Sequence, residues 1–243
     1  MTTNAKLAVL IDADNAQASI IKELLEEVST YGTASVKRAY GDWTTTNLKG
    51  WKDTLHLMAI QPIQQFSYTT GKNSTDSSLI IDAMDLLHAQ QLDGFCLVSS
   101  DSDFTRLATR IREAGLVVYG FGERKTPAAF VAACDKFIYT EILRPAVAST
   151  TKPTGKSAAK PTPINLGETE EIIRKAITSA ARDDGFAALA GVGALIIKNS
   201  PAFDPRNYGC EKLGELMRKL SFVEVKEVHR EDSPHVHLFV RLK

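Results

Sequence analysis

The sequence predicts an α/β domain with a mostly parallel sheet, followed by a smaller α+β domain. Over residues 1–143, short continuous apolar segments alternate with helix-like segments. Continuous apolar strands are typical of a sheet covered by helices on both faces. The alternation itself favours parallel strands joined by helices.

Six strands and five helices account for the first domain. The predicted strands are 6–12, 33–41, 60–66, 95–98, 116–120 and 136–139. The predicted helices are 17–29, 48–58, 76–88, 104–114 and 127–133. Gly115 directly follows the fourth helix, where a glycine favours a left-handed stop.

The segment 144–166 is rich in proline, alanine and polar residues and predicts a flexible linker. It separates a domain at 1–143 from one at 167–243. The second domain shows helical spacing at 168–182, an apolar segment at 192–197, a helix at 208–220 and strands at 222–228 and 235–241. Three helices with a terminal hairpin are typical of a winged helix-turn-helix, which binds nucleic acid or docks proteins.

Composition excludes several classes of protein. No apolar run approaches the ~20 residues of a membrane helix, so we expect no membrane association. Cys96, Cys134 and Cys210 are odd in number and widely spaced, which indicates reduced thiols and a cytoplasmic protein. Residues 1–143 contain 13 basic and 17 acidic residues, a balance of −4. A protein that only coats nucleic acid would be more basic, but an acidic cleft can act on nucleic acid once it binds cations.

Four acidic residues occupy positions that a parallel sheet would bring together. Asp12 ends the first strand, Asp101 and Asp103 follow the fourth, and Asp76 opens the third helix. Ligands of such sheets bind beyond the carboxyl ends of the strands. Crowded carboxylates repel one another unless a hard cation joins them, and Mg²⁺ or Mn²⁺ so bound can activate water for phosphodiester cleavage. We predict that these four residues bind Mg²⁺ or Mn²⁺ and carry catalysis.

Helix capping is the competing interpretation of these acids. Asp14 or Asn15 is expected to cap the helix at 17. Asp103 is the more natural cap of the helix near 104. Asp76 alone would suit the first turn of a helix. Asp82 lies about 240° around the helix from Asp76, so one ion should not bind both.

Polar and aromatic residues near these acids are candidates for holding a polynucleotide. Trp43 and Trp51 either stack bases or belong to the core. Asn15 could orient a phosphate or a water molecule if it is not a cap. The predicted substrate-binding residues are Asn15, Ser100, Lys72, Asn73, Trp43 and Lys125.

The first domain resembles the NYN domain, a branch of the PIN-like nuclease superfamily. The resemblance rests on Val-Leu-Ile-Asp-Ala-Asp-Asn at 9–15, Thr-Gly-Lys-Asn-Ser-Thr-Asp at 70–76, Ile-Ile-Asp-Ala at 80–83 and Leu-Val-Ser-Ser-Asp-Ser-Asp-Phe at 97–104. It implies a Rossmann-like fold and a Mg²⁺- or Mn²⁺-dependent RNase site, and it assigns metal binding to Asp12, Asp76, Asp101 and Asp103. The family pattern also has an acid at Asp82, which makes Asp82 a secondary metal candidate.

The second domain resembles the OST-HTH/LOTUS domain. The resemblance rests on Phe-Asp-Pro-Arg-Asn-Tyr-Gly at 203–209, Leu-Gly-Glu-Leu at 213–216 and the terminal hairpin. It implies RNA binding or protein docking and makes the linker a tether.

Three functions follow, and we rank them in this order. The first is a metal-dependent endoribonuclease with a tethered RNA-binding domain. The second is a non-catalytic RNA-binding regulator. The third is a metal-dependent phosphatase, suggested by Asp-x-Asp at 12–14, in which Asp12 would be the nucleophile. The expected partners are RNA, a protein docked on the second domain, and a second copy in a homodimer.

Overall fold

The computed structural model describes residues 5–66, 74–89, 91–144, 166–230 and 233–243. The chain divides into two compact units, Met1–Arg144 and Pro145–Lys243. Each unit has its own cluster of buried apolar residues. Apart from its two end residues, the predicted linker lies outside the described residues.

The first unit is a six-stranded parallel sheet with the order β3-β2-β1-β4-β5-β6. The strands are β1 (Lys6–Asp12), β2 (Thr33–Gly41), β3 (Gln61–Gln64), β4 (Gly94–Val98), β5 (Val117–Gly122) and β6 (Lys136–Tyr139). The helices are α1 (Ile21–Ser29), α2 (Trp51–Leu57), α3 (Ser74–His88), α4 (Thr105–Glu113) and α5 (Ala128–Ala133). This is the Rossmann strand order, and the predicted α/β fold is confirmed.

The central strands explain where the site lies. All residues of β4 are buried, and in β1 only the first residue is exposed. Continuous burial of this kind favours apolar residues, and Asp12 is the single polar residue among the buried residues of these two strands. The strand order reverses between β1 and β4, which pair through Ile11 and Val98 at their carboxyl ends. That reversal opens a crevice at this edge of the sheet.

The second unit is a winged helix, as predicted. Its helices are α6 (Leu166–Ala180), α7 (Leu189–Asn199) and α8 (Leu213–Lys219), and its antiparallel strands are β7 (Ala187–Ala188), β8 (Val223–Arg230) and β9 (Ser233–Leu242), in the order β7-β9-β8. Strand β7 was not predicted, because a two-residue strand has no periodicity to detect. Among the described residues of the whole chain, no helix is both long and apolar enough to cross a bilayer.

Several predicted helices begin or end differently in the structure. The segment predicted as helix 17–29 begins with a 3₁₀ turn at Ala18–Ile20 before α1. The predicted helix 48–58 shortens to α2, and the predicted helix 208–220 shortens to α8 after a separate 3₁₀ turn at Pro205–Tyr208. Gly115 does have a left-handed conformation, with φ of 84° after α4.

Candidate functional site

Three of the four predicted acids converge at the crevice between β1 and β4. Asp76 lies in the first turn of α3, and Asp101 and Asp103 lie in the turn between β4 and α4. One carboxylate oxygen from each of the three lies within 4.8 Å of the other two. Asp76 is 9% exposed, whereas Asp103 is exposed to solvent. The cluster therefore has a buried side and an open side.

The fourth acid, Asp12, is not part of that group of three and is almost fully buried at 1% exposure. Its Oδ2 accepts hydrogen bonds from Asn15 Nδ2 at 2.7 Å and Ser99 Oγ at 2.9 Å. Its buried Oδ1 has no hydrogen-bond partner in the described part of the chain. Burial raises the pKa of Asp12 above its usual value, and the bonds from Asn15 and Ser99 oppose that rise.

Ser99 connects Asp12 to the cluster of acids. Its hydroxyl donates to Asp12 and accepts a hydrogen bond from the Asp101 backbone N–H at 3.1 Å. Ser99 is 3% exposed, so these contacts are shielded from water. In the sequence, Ser99 appears only as part of the Leu-Val-Ser-Ser-Asp-Ser-Asp-Phe motif at 97–104. A polar residue directly after the buried strand β4 was the signal available for this role.

Asp101, not Asp103, caps the turn that leads into α4. Asp101 Oδ1 accepts a hydrogen bond from the Asp103 backbone N–H at 3.0 Å. The chain forms a 3₁₀ turn at Ser102–Phe104 before the α-helix, and this turn moves the capping position to Asp101. The prediction that Asp103 is the natural cap was wrong, and Asp103 keeps its carboxylate in the cluster.

Asp76 is the acid whose ionisation is most strongly opposed by its neighbours. Burial is the largest cause, followed by the negative charges of Asp12, Asp101, Asp103 and Asp14, and together they raise its pKa to about 6. Such a shift marks a carboxyl group held where anions accumulate, as expected of a site that a cation completes.

Neither Asp14 nor Asn15 forms the predicted cap. The 3₁₀ turn at Ala18 has Gln17 at its N-cap position and no capping bond from a side chain. Asn15 instead orients Asp12, and Asp14 Oδ2 accepts a hydrogen bond from Thr75 Oγ1 at 3.1 Å. Asn15 thus stabilises the turn at the end of β1, and Asp14 connects that turn to the start of α3.

Asp82 lies apart from the cluster, as its position around α3 indicated. Its Oδ2 accepts hydrogen bonds from Arg38 Nη1 and Tyr40 Oη on β2, both at 2.9 Å. The same Arg38 contact is an ion pair. The assignment of Asp82 as a secondary metal ligand stays a prediction, and the geometry shows a neutralised carboxylate that joins α3 to the sheet.

The predicted substrate-binding residues have different surroundings. Ser100 Oγ accepts a hydrogen bond from the Glu123 N–H at 2.8 Å, and Lys125 Nζ pairs with Glu123 Oε2 at 2.8 Å. Trp43 donates from Nε1 to the Ile63 carbonyl at 2.9 Å and is half-buried. Lys72 and Asn73 lie outside the described residues.

The second tryptophan does not stack bases. Trp51 is 3% exposed and packs edge to face with Trp43, so it belongs to the core. The aromatic candidate that retains an accessible surface is Trp43.

The donor set fits a hard divalent cation. The three converging groups are all carboxylates, which are the ligands that Mg²⁺ and Mn²⁺ prefer. The buried Oδ1 of Asp12 is a further carboxylate oxygen, and it has no hydrogen-bond partner among the described residues. The charges of four other acids at Asp76 leave the cluster with an excess of negative potential.

Several solved structures are partly similar to this chain. A protein of unknown function from Vibrio parahaemolyticus is 18% identical over 56% of this chain and 93% of that chain, with a TM-score of 0.48. An uncharacterised protein from Nitrosomonas europaea is 24% identical over 41% and 88%, with a TM-score of 0.28. A protein segment from Chromobacterium violaceum is 38% identical over 30% and 78%, with a TM-score of 0.26. A search of curated proteins found no match.

Comparison with family profiles identifies both units. The OST-HTH/LOTUS domain profile matches residues 166–233. The NYN domain profile matches residues 6–143, which is more than half of the 243 residues. The order of the two domains is the one that the sequence motifs predicted. The chain therefore belongs to the NYN domain family.

Proposed function

We propose that this protein is a metal-dependent endoribonuclease that hydrolyses RNA phosphodiester bonds and retains its RNA through the tethered OST-HTH/LOTUS domain. The observation that carries the proposal is the convergence of Asp76, Asp101 and Asp103 within 4.8 Å at the reversal point of the sheet. Ligands of open parallel sheets bind at that point, and the family match supports a nuclease there.

Asp76, Asp101 and Asp103 would hold Mg²⁺ or Mn²⁺, with Asp12 beside them. A bound ion of this kind activates water and offsets the charge of a phosphate. The protein's own contribution is to fix the carboxylates in advance. Ser99 and Asn15 hold the Asp12 carboxylate, and the Asp103 N–H holds that of Asp101. Fixed ligands lose little conformational freedom when the ion arrives.

The open side of the cluster is where RNA would approach, because Asp103 is exposed while Asp12 is buried. Asn15 contacts Asp12, Ser100 precedes Asp101 in the chain, and Lys125 is exposed. With Trp43, Lys72 and Asn73, they remain our candidates for contacts to substrate. A cytoplasmic location, a homodimer and a protein partner of the second domain also stay predictions.

Cleavage of RNA on denaturing gels tests the proposal. Single-stranded and structured RNAs would be incubated with Mn²⁺, Mg²⁺ or EDTA. We expect metal-dependent fragments, with the rate reduced about 100-fold or more in Asp101→Asn, which removes a ligand charge. Asp85→Asn is the matched control, since Asp85 is an exposed acid on the far part of α3. Cleavage that persists in EDTA and in Asp101→Asn would disprove the proposal.

The two other functions make different predictions in the same assay. RNA that stays intact but is shifted on native gels would indicate a non-catalytic regulator. Hydrolysis of small phosphate esters through an aspartyl phosphate would indicate a phosphatase. The burial of Asp12, with Oδ2 already bonded to Asn15 and Ser99, does not favour Asp12 as a nucleophile.

A further inference from the structure

A groove between α3 and α4 begins at the acid cluster and leads away from it. Its volume is about 380 Å³. Asp103 forms one end of the groove and also belongs to the cluster, so the two features are continuous. The apolar side chains of Ile80, Met84 and Leu107 line the groove. Anything bound there would lie next to the reacting centre.

Two arginines of α4 line the same groove and make no polar contact with the described residues. Arg106 and Arg110 are exposed, and neither guanidinium has a hydrogen bond or ion pair among the residues that the structure describes. Arg112 on the same helix is different, because it pairs with Asp135 at 3.0 Å. One arginine of α4 thus supports the fold, and the other two face the groove with their charge available.

The spacing of these arginines suits a chain of phosphates. Residues four apart lie on one face of a helix, about 6 Å apart along its axis. Asp103, Arg106 and Arg110 therefore follow one another along the groove, and Glu113 lines it at the last position of α4. Guanidinium groups are well suited to phosphate because they donate two parallel hydrogen bonds. The order from cluster to cations matches a polyanion that continues beyond a phosphate held at the cluster.

We propose that the α3–α4 groove binds the single-stranded RNA that flanks the cleaved bond. Arg106 and Arg110 each hold one phosphate, and Ile80, Met84 and Leu107 contact an unstacked base or its sugar. A duplex keeps its bases stacked and paired and could not offer them to this apolar floor, whereas single strands can. This inference rests on the proposed nuclease function, and it adds the substrate class and the path of the strand.

A second groove provides the comparison site. It lies beside α2, has a volume of about 700 Å³, and is lined by Trp43 together with Lys49, Lys52 and His56. Among the described residues, it is lined by basic side chains and no acid, whereas Asp103 and Glu113 accompany the two arginines of the α3–α4 groove. A general attraction of RNA to positive charge would use both grooves, whereas the proposal requires the one that begins at Asp103.

The salt dependence of RNA binding tests the proposal in the full-length protein. A fluorescent single-stranded oligonucleotide would be titrated in EDTA at several salt concentrations, using wild type, Arg106→Gln with Arg110→Gln, and the control Lys49→Gln with Lys52→Gln. Each lost phosphate contact makes the negative slope of log K against log salt less steep by about 0.7 for single strands. We expect the double variant Arg106→Gln with Arg110→Gln to make the slope less steep by about 1.4. Arg106→Lys with Arg110→Lys should keep most of the wild-type slope.

Crosslinking locates the bound strand and separates it from RNA held by the second unit. An oligonucleotide with 4-thiouridine should crosslink to peptides containing Met84 or Leu107, and this signal should disappear in the arginine pair. An unchanged salt slope, with crosslinks only in 166–243 or beside α2, would overturn the proposal. Unfolding temperatures of all variants should stay close to wild type, because the substituted side chains are exposed.

The two proposals fail in distinguishable ways. If wild type cleaves RNA but the arginine pair changes neither the salt slope nor the crosslinks, the groove assignment is wrong and the nuclease stands. If the slope falls and the crosslinks disappear as expected, but no RNA is cleaved with Mn²⁺ or Mg²⁺, the groove assignment stands and the nuclease is wrong.

Discussion

Asp76 ionises against both burial and the charges of its neighbours. Because its pKa is raised to about 6 in the folded protein, the unfolded chain releases this proton first as the pH rises. The metal-free protein should therefore lose stability between about pH 4 and pH 6, by at most about 3 kcal/mol. Asp76→Asn removes this loss, so its unfolding temperature in EDTA should exceed that of wild type at pH 7.

Thermal unfolding from pH 4 to pH 8 measures the difference between wild type and Asp76→Asn. The stability advantage of the variant should be small at pH 4 and complete above pH 6. Adding Mn²⁺ should stabilise wild type, because the ion binds only the folded state, and should stabilise the variant less. A constant difference across the pH range would contradict the raised pKa.

Ser99 is the residue through which the structure holds two acids at once. Ser99→Ala leaves Asp12 Oδ2 with one donor and removes the acceptor of the Asp101 N–H. We expect a loss of about 1–3 kcal/mol in the free energy of unfolding and a fall of about 10–100-fold in Mn²⁺ affinity. Urea unfolding and calorimetric titration measure the two effects. Ser102→Ala should change both much less, because the exposed Ser102 hydroxyl makes only a long contact of 3.5 Å to Asp101 Oδ1.

At the scale of single residues, the sequence predicted which acids come together but not which hydrogen bonds hold them. The convergence of Asp76, Asp101 and Asp103 was predictable, because the ends of β1 and β4 and the start of α3 are visible in the sequence. The cap at Asp101 and the contact from Asn15 to Asp12 were not. They depend on the 3₁₀ turns at Ser102–Phe104 and Ala18–Ile20. These three-residue turns are too short to produce a recognisable hydrophobic pattern in the sequence.

Strand β5 supports the site through its last residue, Gly122. A Cβ added at Gly122 would lie 2.6 Å from the Ser99 carbonyl oxygen and 2.7 Å from Thr126 Oγ1. The next N–H, of Glu123, donates to Ser100. Glycine thus allows the end of β5 to approach the turn that carries Ser99, Asp101 and Asp103.

Gly122→Ala should move that turn. We expect a loss of about 1–3 kcal/mol in the free energy of unfolding, typical of overpacking, together with weaker Mn²⁺ binding. Gly50→Ala is the control, since a Cβ there would meet nothing within 4 Å. Denaturant unfolding and metal titration of both variants measure this. Unchanged metal affinity in a destabilised Gly122→Ala would show that β5 supports the fold without positioning the ligands.

Among the elements, clear boundary residues decided what the sequence could predict. Strands β1, β2 and β6 were predicted to the residue, because polar or glycine residues stand at or next to the ends of each. β7 spans only Ala187–Ala188 and gains its place in the sheet from pairing with β9. Such a strand is defined by its partner, and local sequence cannot reveal it.

The whole molecule joins two units, each with its own buried core. If the OST-HTH/LOTUS unit retains RNA, it raises the local concentration of RNA at the NYN unit and leaves the rate of the chemical step unchanged. Deleting residues 145–243 should therefore raise KM for long RNA by about 10–100-fold and leave kcat near the wild-type value. Single-turnover and steady-state cleavage of one RNA by both proteins separate the two parameters.

A second variant distinguishes tethering from the charge of the predicted linker. Residues 145–165 contain three lysines and no acids, so the linker itself could attract RNA. Replacing it with a Gly/Ser segment of equal length keeps the tether and removes this charge. We expect KM to stay within about threefold of wild type, because tethering depends mainly on length. A KM as high as that of the deletion would assign the retention of RNA to the linker lysines, and a fall in kcat in the deletion would mean that the second unit also acts in the reaction.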